Sequence, residues 1–371
     1  MSNIMNLAKK AEAMEEFRRF RDSGLPVPPE VRARHVEATN DGYATGPDQG
    51  QRIPAFSLPD QTGTVRVLSD LAGPNGLFLV FHRSAGWCQY CRSQLVELEL
   101  SRPLFERNGV RVAAVSYDSQ ETLAAFARKH SIGYPLLSDA GSATIRSFGI
   151  FNQNMAPHLK AYGVPHPVEY LVSSDGTVAG KYFVPNYMHR VTGSSVALSE
   201  FSAVAEEAPI VTLKTDVLTA TIGFPAERAF AGQELGFFAK FVLEPGWHTY
   251  GAPLPAGYTA TTLLLDEIHI SRQSFHWPEA RKLSLPLLGE TLPVYSGEFG
   301  GSGTMLLKHP LPEGTLLLRG SLDVQQCSDT VCEPPLSIPF ELGVILEPFV
   351  INERERRLLE QQAAEGGPLR E

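Results

Sequence analysis

The chain has 371 residues, 43% hydrophobic and 20% charged, a globular balance with length for two domains at roughly 100–200 residues each. A net charge of −9 argues against nucleic acid or an anionic membrane as partner, because either calls for a basic face. No run approaches the roughly 18 consecutive apolar residues of a membrane span, and the N-terminal residues lack the apolar core of a secretory leader, so the expected compartment is the cytoplasm.

In chain order, Ile4, Leu7, Ala11, Met14 and Phe17 recur at spacings of three and four, which predicts an amphipathic helix over residues 4–22, stopped by Gly24. Its balanced charges suit packing on this chain or a second copy rather than on a membrane. The segment that follows, rich in Pro, Gly and polar residues, reads as an extended arm, and residues 1–50 together form a helical arm and linker.

From about residue 51 strands and helices alternate. "GLFLVFH" has the continuous apolar character of a strand buried on both faces. "CRSQLVELELSRPLFERNG" has helical spacing, "VRVAAVSYD" is a second buried strand, and "SQETLAAFARKHSI" is a helix opened by Ser119. "VEYLVSSDGTVAGKYFV" reads as two strands joined at Asp175-Gly176, and residues 195–207 supply a candidate closing helix. Such alternation implies an α/β domain with a parallel centre over residues 51–208.

After Pro209 short strands with frequent turn signals take over, from "IVTLKTDVLTATI" to "SIPFELGVIL", the pattern of an antiparallel β-sandwich over residues 209–348. Residues 349–371 read as a charged helical tail.

The four cysteines fall in two pairs, too few for a disulfide scaffold and suited to catalytic or metal-binding work in a reducing compartment. In "GWCQYCRSQ", Cys88 follows a buried strand and opens a predicted helix, where unpaired N–H groups and the helix dipole favour a thiolate. Cys91, one turn on, can close a disulfide with Cys88 and release a partner held there. Two other readings stay open for these residues: a Cys₄ zinc site shared with the downstream pair, and two inert core thiols. Trp87 taken alone reads as core. In "DVQQCSDTVCEPP", Cys327 and Cys332 end a strand beside Pro334-Pro335, a short loop able to bring two sulfurs within bonding distance.

The tryptophan and paired cysteines of "FHRSAGWCQYCRSQLVELE", together with "YGVPHPVEYLVSSDG", resemble the AhpC/TSA redoxin branch of the thioredoxin-like superfamily over roughly residues 52–208. The resemblance implies a central mixed sheet flanked by helices, and it implies that Pro167 is a cis-proline facing the cysteines, beside Trp87. Redoxins include peroxidases, whose Pro-x-x-x-Thr-x-x-Cys motif and distant arginine polarise peroxide. Here the threonine position is Ala85, the proline position is Phe81, and Pro167 stands where that arginine would be. Arg83 is the one nearby substitute and reads as a surface charge.

"PGWHTYG", "WPEARKL", "LPVYSGEF" and "QQCSDTVCEPP", in that order, resemble the N-terminal immunoglobulin-like domain of DsbD-type thiol:disulfide interchange proteins over about residues 210–345. That resemblance implies a redox-active Cys327/Cys332 pair, shielded by a cap near residues 279–290 and served by a thioredoxin-like partner. It also implies a periplasmic alternative to the cytoplasm. His248 and Tyr250 match family positions and read as packing or edge residues.

The combined expectation is an α/β thioredoxin-like domain followed by an all-β immunoglobulin-like sandwich, acting as a thiol–disulfide oxidoreductase on protein thiols and disulfides, with a thioredoxin-type reductant and no cofactor. Cys88 attacks and Cys91 resolves; Cys332 exchanges and Cys327 resolves. The alternatives are a thiol peroxidase using Cys88 and a non-enzymatic redox-regulated or zinc-binding adaptor.

Overall fold

The computed structural model describes residues 12–13, 15–17, 19–20, 28–40, 45–155, 157–184, 186, 188–230, 232–285, 289–308, 311–352 and 357. Of the helix expected over 4–22, residues 12–13, 15–17 and 19–20 are helical, and the others lie outside the described residues, as does most of the expected tail helix. The extended arm is corrected: Pro29–Asn40 is a helix, α1. Proline is favoured in a first helical turn, where its missing N–H is no loss, and Glu30 suits the positive end of the helix dipole. Val31 and Ala38 are buried, Phe17 stacks on His35 at 3.9 Å, and Arg34 pairs with Glu16 at 2.8 Å.

The chain divides into two compact units, residues 1–190 with 349–371, and residues 191–348. The first is built on a five-stranded sheet of β1 (Gly76–Phe81), β2 (Val110–Ser116), β3 (Leu136–Ser138), β4 (Val168–Val172) and β5 (Val178–Tyr182), in the order β3-β2-β1-β4-β5. β1 runs parallel to β2 and antiparallel to β4, so the centre is mixed. Every residue of β1 is buried, as expected for a strand covered on both faces. Phe81 packs against Phe148 at 4.7 Å and Tyr170 at 6.1 Å between ring centroids. Tyr170 Oη donates to Thr45 O at 2.5 Å, and a Cβ at Gly46 would collide with that hydroxyl, so the approach of residue 46 requires glycine at its φ of +77°.

Two helices complete the frame, α2 (Gln89–Glu106) and α3 (Gln120–His130). α2 buries Leu95, Leu98, Leu104 and Phe105. α3 starts at Ser119, whose hydroxyl accepts from Thr122 N at 3.4 Å, and carries Arg128, Lys129 and His130 in its last turn, complementing the helix dipole. Phe349 meets Tyr90 at 5.4 Å, and Val350 N donates to Ser93 Oγ at 3.0 Å, so the chain after residue 348 returns to α2.

The second unit is all-β apart from α4 (Gly193–Phe201). This helix, read from sequence as closing the first domain, groups with the second unit: Ser195 Oγ accepts from Gly236 N at 2.5 Å. The strands are β6 (Ile210–Lys214), β7 (Leu218–Gly223), β8 (Arg228–Phe230), β9 (Gln233–Leu243), β10 (His248–Tyr250), β11 (Thr262–Leu265), β12 (Ile270–His276), β13 (Arg281–Leu285), β14 (Glu290–Ser296), β15 (Glu298–Leu307), β16 (Gly314–Val324), β17 (Gln326–Cys327) and β18 (Leu336–Glu347). They form sheets in the orders β12-β15-β9-β7-β6, β8-β18-β16-β11 and β13-β14-β10-β17, an immunoglobulin-like all-β domain. Alternation sets the faces: Leu316, Leu318, Leu322 and Val324 of β16 point inward with Phe340, Leu342, Val344 and Leu346 of β18. Among the described residues no helix is long and apolar enough to cross a membrane.

Leu95 is fully buried in α2, so Leu95→Ala should cost the first unit about 3 kcal/mol, while Val65→Ala at an exposed position should cost less than about 0.5. Denaturant unfolding of both variants checks the contrast. Equal midpoints would contradict the packing described.

Candidate active site

β1 ends at Phe81, and residues 82–88 carry the chain to α2. One carboxylate holds this loop: Asp118, buried after β2, accepts from Ser84 Oγ at 2.7 Å, Ala85 N at 2.7 Å and Ser116 Oγ at 2.9 Å. Cys88 is the N-cap of α2, in extended backbone, and Cys91 lies in the first turn. Both thiols are free, Cys91 fully buried and Cys88 4% exposed.

Arg190, 3% exposed, closes the site from beyond β5. Its Nη2 donates to Cys91 Sγ at 3.4 Å, its Nε to Gln94 Oε1 at 3.1 Å and its Nη1 to His189 O at 2.5 Å. Gln94 passes the contact on through Nε2, which donates to Glu169 Oε1 on β4. A glutamine can do both because its amide offers an acceptor and a donor.

Burial lifts both thiols, and their surroundings then separate them. At Cys91 the Cys88 S–H, the Arg190 charge and neighbouring His82 overcome burial and hold the thiol well below its ordinary range. At Cys88 burial and the sulfur of Cys91 push it up against smaller pulls from Arg83 and Arg190. The expectation that helix placement puts the thiolate on Cys88 is therefore corrected. The Cys88 S–H first, and then the buried Arg190 guanidinium that no argument about the helix end contains, favour Cys91. Since the two share one proton, the first ionisation belongs to the pair.

Trp87 is half-buried beside this pair. Its Nε1 donates to Tyr117 Oη at 2.8 Å, Tyr117 Oη donates to Lys160 O at 2.8 Å, and the Arg83 guanidinium lies 4.9 Å from the Trp87 ring centroid. Arg83, read as a surface charge, thus belongs to the site and acts on Cys88 and on His166. Pro167 is corrected: among the described residues the cis peptide is Ala252–Pro253, and His166–Pro167 is trans. The chain here is already extended into β4, fixed by His166 N donating to Ile150 O at 2.7 Å and by the Phe151–Pro165 bridge, and the trans bond continues that course.

In the second unit Cys327 and Cys332 form a disulfide. Cys327 is buried on β17 opposite His248 of β10, and Cys332 is exposed. Tyr250, read as packing, has its hydroxyl 3.3 Å from Cys327 Sγ and 3.7 Å from Cys332 Sγ, and Gln325 Nε2 donates to Cys332 Sγ at 3.5 Å. His248 is packed 5.5 Å from the Tyr250 ring. Of the stretch expected as a cap, residues 281–285 form β13, whose Leu283 packs on the cluster of Tyr250, Leu292, Val294 and Cys327, and residues 286–288 lie outside the described residues. No group of three or more metal-ligating side chains with the geometry to hold an ion occurs among the described residues.

Sequence reasoning missed Arg190, His82, Gln94 and Glu169. Arg190 sits in "NYMHRVTG", which carries no motif. His82 had one visible signal, a titratable residue ending an otherwise apolar strand run.

A thioredoxin-like mixed sheet with paired thiols at a strand-to-helix turn defines a redox enzyme of the thiol class. Residues 49–181 match the AhpC/TSA family, and residues 223–342 match the N-terminal region of the thiol:disulfide interchange protein DsbD. Peroxiredoxin Bcp of Escherichia coli strain K12 is 30% identical over 129 residues, 35% of this chain and 81% of that protein. The thiol-disulfide oxidoreductase ResA of Bacillus thuringiensis is 25% identical over 141 residues, 37% of this chain and 72% of that protein. The crystal structure of peroxidoxin BcpB from Mycobacterium tuberculosis covers 41% of this chain and 94% of its own at 25% identity and a TM-score of 0.35. The chain belongs to the AhpC/TSA family and carries in addition a DsbD-type N-terminal domain.

Two predictions follow the site's electrostatics. Arg190→Gln removes the cation that favours the thiolate, so the ultraviolet thiolate titration of the reduced pair should move up by about 1–2 pH units. An unmoved titration would contradict the role of Arg190. His166 is held neutral by burial and then by Arg83, with its pKa lowered to about 4. A histidine depressed in the folded state leaves stability intact above about 6.5 and loses it as pH falls toward about 4, because only the unfolded chain takes the proton in that window. Proton NMR should find a midpoint near 4, and an ordinary midpoint would contradict the burial.

Proposed function

We propose that the chain is a thiol–disulfide oxidoreductase working through Cys88 and Cys91. The observation that carries this reading is a pair of free thiols at the start of α2, with Arg190 Nη2 3.4 Å from Cys91 Sγ. In the reduced pair the Cys88 proton is shared with an anionic Cys91. Cys88, the more accessible sulfur, attacks a partner disulfide; its proton passes to Cys91, a Cys88–partner bond forms, and one partner thiolate leaves. Cys91 then attacks Cys88 Sγ as its proton passes to the second partner sulfur, which leaves as a thiol when the Cys88–Cys91 disulfide closes. The partner disulfide gains two electrons and the pair loses two.

Protein disulfides are the fitting substrates, with a thioredoxin-type dithiol to regenerate the pair. A peroxidase is the second reading, favoured by the two arginines acting on the sulfurs and by the resemblance to Bcp. Against it stand Ala85 and Phe81 in the positions of the peroxide-polarising threonine and its proline. Side-by-side rates with an insulin-type disulfide and hydrogen peroxide test the ranking. Disulfide reduction should be faster, and both Cys88→Ser and Cys91→Ser should lose it by more than about 100-fold. Faster turnover of peroxide, retained in Cys91→Ser, would reverse the ranking.

The Cys327–Cys332 pair is proposed as the partner of the first pair in an internal exchange. One chain holds both, and a short tether supplies an effective concentration of about a millimolar. A Cys91→Ser, Cys327→Ser variant, gently oxidised at high dilution, should trap a Cys88–Cys332 bond within one chain. Peptide mapping that finds only bonds between chains would assign the second pair to external partners.

A further inference from the structure

Gln325 is a buried polar side chain that the exchange steps above leave unused. It lies between β16 and β17 and is 8% exposed. Its Oε1 accepts from Thr259 N at 2.9 Å, and its Nε2 donates to Glu333 O at 3.3 Å and to Cys332 Sγ at 3.5 Å, one hydrogen for each. Every polar group of this amide is therefore engaged, one of them on a sulfur. A disulfide sulfur is a weak acceptor, whereas a thiolate, being ionised, is a strong one. The donor is better matched to reduced Cys332 than to the disulfide it now touches.

Opening the disulfide leaves both parts of this contact anchored. Thr259 N and Glu333 O hold the Gln325 amide without help from the sulfur. The loop that carries Cys332 is closed by its own hydrogen bonds, with Ser328 N donating to Val331 O at 2.7 Å, Val331 N to Ser328 Oγ at 3.1 Å and Glu333 N to Gln326 O at 2.9 Å. Of the two sulfurs, Cys327 is 2% exposed and faces the Tyr250 hydroxyl at 3.3 Å, while Cys332 is open to solvent. The sulfur that a partner can reach is thus the one with an amide N–H already aimed at it. A donor in place before charge develops stabilises that charge without reorganisation.

We infer that Gln325 is the hydrogen-bond donor that stabilises the Cys332 thiolate and so makes Cys332 the attacking sulfur of the reduced second pair. The proposal rests on the reading of that pair as an exchange centre. The Cys332 thiolate attacks a partner disulfide, a Cys332–partner bond forms, the partner S–S bond breaks, and one partner sulfur leaves as a thiolate that takes its proton from water. Cys327 then attacks Cys332 Sγ as its proton passes to the second partner sulfur, which leaves as a thiol when the Cys327–Cys332 disulfide closes. The pair loses two electrons and the partner disulfide gains two.

The test alkylates the full chain, reduced and freed of reductant, with iodoacetamide at graded pH, and follows Cys332 alone by mass mapping. In Gln325→Leu, which lacks the donor, the midpoint of Cys332 alkylation should rise by about one pH unit while the rate on the high-pH plateau stays within about threefold, so that the change lies in ionisation rather than access. In Gln325→Glu the midpoint should rise further, because a carboxylate repels the thiolate. A midpoint unmoved in both variants overturns the role of Gln325. Should neither variant fold, the wild-type protein decides: in nitrogen-15 NMR of the reduced chain the Gln325 side-chain amide should titrate with Cys332, and a resonance that stays still across that midpoint overturns the proposal. A reduced wild-type protein in which dithiobis(nitrobenzoate) captures Cys327 first, or neither cysteine of the second pair, overturns the exchange reading itself, and the proposal with it.

Discussion

A guanidinium buried as deeply as Arg190 must be met by acceptors and anions, because isolating such a charge from water costs several kcal/mol or more. The chain meets it with Cys91 Sγ, Gln94 Oε1 and the His189 carbonyl, and Glu169 stands behind Gln94. Three elements supply these groups: α2 carries Cys91 and Gln94, β4 carries Glu169, and Arg190 opens the two-residue strand Arg190–Val191. This constraint favours the anionic form of Cys91 over that of Cys88. In the exchange proposed above, closing a Cys88–Cys91 disulfide would remove the anion that Arg190 contacts and so link redox state to charge balance at one buried point.

The surroundings divide labour between the two sulfurs. Asp118 fixes the loop through Ser84 and Ala85, so Cys88 can cap α2 without a side-chain cap of its own. Trp87, Tyr117 and Arg83 form an aromatic and cationic group beside Cys88, while Arg190 contacts Cys91. The second unit solves a related problem differently. Tyr250 presents a hydroxyl to both sulfurs of the Cys327–Cys332 disulfide, and Cys332 is left open to solvent.

The strands and helices that shape the first site were legible because their patterns are strong. "GLFLVF" is apolar throughout, α2 and α3 have clear helical spacing, and Asp175-Gly176 turns the final hairpin, with Gly176 at a φ of +90°. Both cysteine pairs and their family resemblances were also readable from short motifs. Less legible were elements without periodicity: α1 was hidden by the prolines around it, and β12, "ISRQSFH", alternates polar residues too exposed to read as a strand. The assignment of charge failed for a physical reason. A helix dipole is a local property visible in the sequence, whereas Arg190 reaches Cys91 from 99 positions away and only tertiary structure reveals the meeting. Pro167 shows the same limit, since the geometry of one peptide bond depends on how the preceding loop is anchored.

The account stands or falls on Cys88 and Cys91 behaving as one redox couple. The most direct measurement equilibrates the full chain in dithiol/disulfide buffers of graded potential, quenches with acid, and maps every cysteine by mass spectrometry. The account predicts that Cys88 and Cys91 pass together from two free thiols to a single Cys88–Cys91 disulfide in one two-electron transition. Two cysteines that stay free across the whole range, or that oxidise independently to different partners, would contradict it.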